Sequence, residues 1–123
     1  MSHRFVWVDI PVLDLERAIA FYGAVLASGV TREGGAGFAF AVLAHAGSDV
    51  AGCLVPSDAV NGPSLRGPLV YLNVDGRIAD AERAATALGG RVLQPTHAIG
   101  PHGFRAIIVD SEGNRVALHS STR

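Results

Sequence analysis

Cysteine is nearly missing from these 123 residues: Cys53 stands alone, so no intrachain disulfide staples the fold, and a reducing compartment is the expectation. Cys53 itself reads as a small apolar core residue. Charge of one sign is also missing, because ten basic residues face eleven acidic ones and neither sign clusters. A nucleic-acid partner needs a basic stripe, so none is expected. No long apolar run is present, which excludes a membrane partner of the helical kind, and no signal-like segment opens the sequence. A cytoplasmic protein is the expectation. What the chain does have is 49% apolar residues against 17% charged, a balance that excludes a disordered tail or a coiled coil. Its length suits one domain with its own core, taken as residues 1–123.

Hydrophobic periodicity divides the chain. Phe5 to Val12 alternates, with Val6, Val8, Ile10 and Val12 on one face and Trp7, Asp9 and Pro11 on the other, as a half-buried strand requires. Asp14 can cap a helix, and Leu15, Ala18, Ile19, Tyr22, Val25 and Leu26 form its apolar stripe. Gly34-Gly35-Ala36-Gly37 reads as a flexible hairpin or lid, since it lacks the Lys-Ser/Thr of a phosphate loop. Strands are expected over Phe38 to Ala44 and Val50 to Val55, then a Pro/Ser/Gly/Asn-rich connection over 56–68. The second half predicts a strand over Leu69 to Val74 and a helix through Ile78, Ala81, Ala85 and Leu88, ended by Gly89-Gly90. Strands near Arg91 to Pro95, Phe104 to Val109 and Arg115 to Ser120 follow.

The halves look like copies. Glu16-Arg17-Ala18 recurs as Glu82-Arg83-Ala84 and Gly37-Phe38 as Gly103-Phe104, both at an offset of 66, while Val12 matches Val74 at 62. Two strand-helix-strand-strand-strand units, about 5–55 and 69–120, are therefore expected, with 56–68 as the linker.

Two stretches carry a resemblance. Asp9 to Ala18, running into Phe21-Tyr22, and Asp110 to His119 resemble the glyoxalase/bleomycin resistance protein/dioxygenase superfamily, the vicinal oxygen chelate proteins, over Phe5 to His119. Asp110-Ser111-Glu112-Gly113-Asn114 is similar to that family's Asp-Pro-Glu-Gly-Asn turn, with Ser in place of Pro. The resemblance implies an α+β fold in which two βαβββ units pair into a curled sheet that forms a ligand cup. Metal-dependent members carry His, Gln or Glu ligands on the first and last strands of each unit. Here the resemblance and the offset of 66 put those positions on Trp7, Ala51, Leu69 and Ala117, none of which binds metal. No metal or cofactor is expected.

If the resemblance holds, strand alternation fixes what else lines the cup. Trp7 and Asp9 share a face, as do Leu69, Tyr71 and Asn73, and His119 follows Ala117 by two residues. Trp7, Leu69, Tyr71 and Ala117 would be its walls, with Asp9, Asn73 and His119 as polar groups. Phe38 and Phe40 share one face, cup side or helix side. His3, His45, His97 and His102 read as solvated loop residues. The resulting expectation is a metal-free protein that binds a planar or apolar small molecule and forms a homodimer. The alternative is a glyoxalase- or dioxygenase-like enzyme in which Asp9 is the general base and His119 a proton donor or oxyanion partner.

Overall fold

Asp14 begins the first helix as its position predicts: its backbone is extended and its side chain accepts from the Arg17 N–H at 3.1 Å. The computed structural model describes residues 3–35, 37–47 and 49–123. They form two four-stranded mixed sheets, each with one helix. The first runs β1 (Trp7–Val12), α1 (Leu15–Leu26), β2 (Val30–Gly35), β3 (Phe38–Leu43) and β4 (Ala51–Pro56). The second runs β5 (Val70–Asn73), α2 (Ile78–Ala87), β6 (Arg91–Ala98), a 3-10 turn at Gly100–His102, β7 (Phe104–Val109) and β8 (Arg115–Ser120). Strand orders are β1-β4-β3-β2 and β5-β8-β7-β6, with β1–β4 and β5–β8 parallel and the other pairs antiparallel. The two units thus share one topology, and neither sheet closes into a barrel. No described helix is long and apolar enough to cross a membrane.

Strand β2 departs from the sequence expectation. Gly34 and Gly35, read as a loop, pair with Ala39 and Phe38 at the end of the β2–β3 hairpin. At Gly34 φ is +99°, and a Cβ would fall 2.2 Å from the Phe38 carbonyl oxygen, so glycine is required there. The strand was hidden because Thr31, Arg32 and Glu33 are exposed on a sheet edge and carry no apolar alternation. Ala36 of the expected glycine loop lies outside the described residues.

The alternation of β1 sends Ile10 and Val12 inward, where they meet Ala18, Phe21, Tyr22 and Val25 of α1; Leu72, Val74, Ala106, Ile108, Val116 and Leu118 meet Ile78, Ala81 and Ala85 of α2. All belong to one buried cluster. The Asp110–Asn114 turn of the second unit then clamps the first. Asp110 accepts from the backbone N–H groups of Glu112, Gly113 and Asn114 and from the Tyr22 hydroxyl at 2.5 Å. Asn114 Nδ2 donates to the Pro11 carbonyl at 2.8 Å.

Burial also corrects the internal alignment. Ala18 and Tyr22 correspond to Ala81 and Ala85, an offset of 63, whereas Ala84 is only partly buried. Phe38 stands with Phe40 on the face opposite the core, while Phe104 packs against the core, so the Gly-Phe match is accidental. The offset rises from 62 at the buried pair Val12 and Val74 to 63 in the helices because the second unit has one more residue between those points.

Candidate functional site

Strand alternation leaves the other face of each sheet uncovered by the helices. In β1 this face holds Trp7, Asp9 and Pro11, paired with Ala51, Cys53 and Val55 of β4. In β5 it holds Tyr71 and Asn73, paired with Ala117 and His119 of β8. The pairing of Val42 with Cys53 puts Phe38 and Phe40 of β3 on the same side as Asp9. They therefore lie on the uncovered face of the first sheet.

The register moves one expected position. Ile10 pairs with Leu54, and Leu72 with Leu118; these are the equivalent buried pairs, and in each the last-strand leucine follows the position in question. Cys53 is therefore the counterpart of Ala117, two residues on from Ala51. The expectation failed because the offset of 66 came from accidental matches. Trp7, Cys53, Leu69 and Ala117 offer a single thiol, and among the described residues no group of three or more His, Cys, Asp or Glu could hold a metal ion. Burial, then the neighbouring Asp9 carboxylate, push the Cys53 thiol up to about 11. It is a protonated donor, directed at Asp9 Oδ1 at 3.3 Å. This donor set does not fit a divalent metal, which needs several deprotonated or lone-pair ligands.

Between β1 and β5 lies a cleft of about 750 Å³. Phe5, Trp7 and Asp9 line it from one side and Leu69 and Tyr71 from the other, with Arg66 and Arg115 at its border. Trp7 and Tyr71 are each 46% exposed, and the Trp7 indole N–H donates to Asp9 Oδ1 at 2.9 Å, fixing the ring. Asn73 borders a separate cavity of about 410 Å³ at the far end of the same seam, and its Oδ1 accepts from the Asp75 N–H at 2.9 Å. Ala117 is fully buried beside Tyr71.

His119 lies elsewhere. Its Nε2 donates to the His102 carbonyl at 2.6 Å, and its ring sits 6.3 Å from that of Tyr71 in a groove of about 440 Å³ shared with Arg105 and His102. Asp9 borders the main cleft and a hollow of about 370 Å³ with Phe38 and Phe40. The main cleft bordered by Asp9 and the groove bordered by His119 share Tyr71 as a lining residue. The structure therefore brings Trp7, Asp9, Leu69 and Tyr71 together in the main cleft, and sets His119 beside Tyr71 and Asn73. The sequence reading leaves Arg105 out and takes His97 for a solvated loop residue, whereas His97 lies in β6. The signal for Arg105 was available, as the one charged residue inside the apolar strand Phe104–Val109.

The family model described as bleomycin resistance protein-like N-terminal matches residues 4–26. The fold is similar to TnmS3, an antibiotic binding protein from Streptomyces sp. CB03234, at 27% identity and a TM-score of 0.70 over 98% of this chain and 96% of that one. It is also similar to a glyoxalase-related enzyme from Fulvimarina pelagi (17% identity, TM-score 0.73, covering 97% and 88%). A third similar structure is the fosfomycin resistance protein FosX from Listeria monocytogenes (15% identity, TM-score 0.68, covering 98% and 94%). The last two likenesses are of fold. No curated protein matches the chain in sequence.

Proposed function

Since the chain belongs to the glyoxalase/bleomycin resistance protein/dioxygenase superfamily, we propose that it is a metal-free small-molecule-binding protein that holds a planar or apolar ligand in an aromatic cup. The observation that carries this reading is the pair Trp7 and Tyr71, half-exposed and lining the same cleft. Large aromatic faces left in water gain free energy when a flat ligand covers them, by about 25 cal/mol per Å² of apolar area and about 0.5–1.5 kcal/mol more for offset stacking. Leu69 extends the apolar wall, and fully buried Ala117 beside Tyr71 adds no bulk to the cup. The likeness to an antibiotic binding protein supports the same class of ligand. Binding of this kind needs no Lewis acid, in keeping with the donor set at Trp7, Cys53, Leu69 and Ala117.

The same surface supports a homodimer. Phe5, Trp7 and Phe38 are all exposed, large apolar side chains that a second copy would cover, closing the open side of the cup. A cytoplasmic setting, where Cys53 stays reduced, belongs to this reading. Light scattering should give twice the 12.7 kDa chain mass; a strict monomer refutes the dimer.

Asp9 favours a second reading, as an enzyme. Its Oδ1 takes both the indole N–H and the thiol, and Oδ2 has no hydrogen-bond partner among the described residues, which leaves that oxygen available to accept a proton. His119 would then donate from the neighbouring groove. Titration of Trp7 fluorescence, the only tryptophan, with 2-oxoaldehyde–thiol adducts, catechols and planar antibiotics separates the two. For a binder, Tyr71→Ala weakens affinity about tenfold and Asp9→Asn changes little. Turnover of a bound compound that collapses about 10²-fold in Asp9→Asn, with affinity intact, would favour the enzyme.

A further inference from the structure

On the uncovered face of the second sheet, the register sets four polar side chains in one row across four strands: Asn73 on β5, His119 on β8, Arg105 on β7 and His97 on β6. The corresponding row of the first sheet carries Phe40 where this one carries Arg105, because Ala41 and Ala106 are the equivalent buried residues, paired with Leu54 and Leu118. At this position the first sheet is thus aromatic and the second basic.

Arg105 is held from both sides. Its Nε and Nη2 point at His97 Nε2 at 3.2 and 3.1 Å, and its Nη1 donates to the Tyr71 hydroxyl at 2.7 Å. His97 Nδ1 meets the Pro95 carbonyl at 2.8 Å, which makes Nδ1 the protonated nitrogen and leaves Nε2 as the acceptor that Arg105 uses. The guanidinium therefore reaches from β7 across β8 to β5. These contacts occupy three of its five N–H groups, and one N–H remains on each Nη. Both partners are neutral. The ion pairs among the described residues are Arg17–Glu112, Arg32–Glu16 and Arg83–Asp80, so the half-buried Arg105 has no carboxylate partner among them.

We propose that Arg105, positioned by His97 and assisted by the Tyr71 hydroxyl, is an anion subsite that binds the acidic group of the ligand, a carboxylate or an ionised phenol. Two parallel N–H groups match the two oxygens of a carboxylate, and a fixed guanidinium loses little freedom in making the pair. The Tyr71 oxygen accepts from Arg105, so its own proton is left to donate to the same anion. Tyr71 borders both the main cleft and the Arg105 groove, which joins the stacking wall to the charge. The ligand class becomes a flat apolar body bearing one acidic substituent. This inference rests on the binding reading above and narrows it.

The test is calorimetric titration of the full chain with 2-naphthoate and with 2-naphthamide, which share a ring and differ in charge. Naphthoate should bind at least tenfold more tightly. Arg105→Gln should abolish that preference while leaving naphthamide affinity unchanged, which also reports that the variant is folded. Tyr71→Phe keeps the ring and should narrow the preference, with naphthoate losing more affinity than naphthamide. Equal affinity of the wild type for both probes, or a preference that survives Arg105→Gln, overturns the anion subsite and leaves the aromatic cleft standing. Failure of both probes to bind overturns the subsite and the cleft together.

Discussion

Replacing Glu112 by Gln tests the physical frame that holds the cup together. Glu112 is 4% exposed, yet its carboxylate accepts from the Leu13 and Asp14 N–H groups at 2.8 Å, from Arg17 Nε and Nη2 at 2.7 and 2.8 Å, and from the Ser111 hydroxyl at 2.8 Å. It binds the N-terminus of α1 from the far unit. Burial opposes its charge, but the Arg17 guanidinium and then the backbone N–H groups and Ser111 prevail, holding the carboxyl at about 2. Against an ordinary value of 4.5, that is worth about 3 kcal/mol of folding stability. Because the folded value is depressed, this stability is fully present above about pH 4.5 and is lost as pH falls toward 2. Urea unfolding followed by circular dichroism should therefore find Glu112→Gln about 3 kcal/mol less stable at pH 7, with the gap closing as both proteins are taken below pH 4. A gap under about 1 kcal/mol at pH 7, or one as wide at pH 3 as at pH 7, would refute the reasoning.

Gly90→Ala should lower the melting temperature, since a Cβ there would meet the Val109 carbonyl oxygen at 2.6 Å and the Ala85 oxygen and Phe21 ring at 2.9 Å. The expected cost is about 1–3 kcal/mol, and an unchanged melt would mean the site has room. Cys53 should alkylate at roughly one-hundredth the rate of an ordinary thiol near pH 8, because only the thiolate reacts and its pKa stands at about 11. Asp9→Asn removes one cause of that elevation and should speed the reaction; a rate equal to that of free cysteine in the wild type contradicts the Asp9–Cys53 contact.

The legible parts of the fold were those with strong local periodicity. The alternation read over Phe5 to Val12 appears as the strand Trp7–Val12, and the stripe of Leu15–Leu26 and its Asp14 cap appear where the sequence places them. Strand β2 escaped because an exposed edge strand has no apolar face to reveal it. In the site, parity put Trp7, Asp9 and Tyr71 on uncovered faces, but parity says nothing about which strand lies beside which. Cys53 in place of Ala51 and the His119–Arg105–His97 row depend on cross-strand register, a long-range property that short sequence matches misread. His97, read as a loop residue, lies in β6 because that strand runs to Ala98, three residues past its expected end.

Binding of a flat ligand in an aromatic cleft without metal is open to a single titration. Trp7 fluorescence should be followed with 2-naphthoate on protein dialysed against a strong chelator and verified metal-free by elemental analysis. Quenching should saturate with the same affinity before and after chelation and weaken about tenfold in Tyr71→Ala. Quenching that disappears on chelation and returns with one zinc, nickel or iron per chain would contradict it.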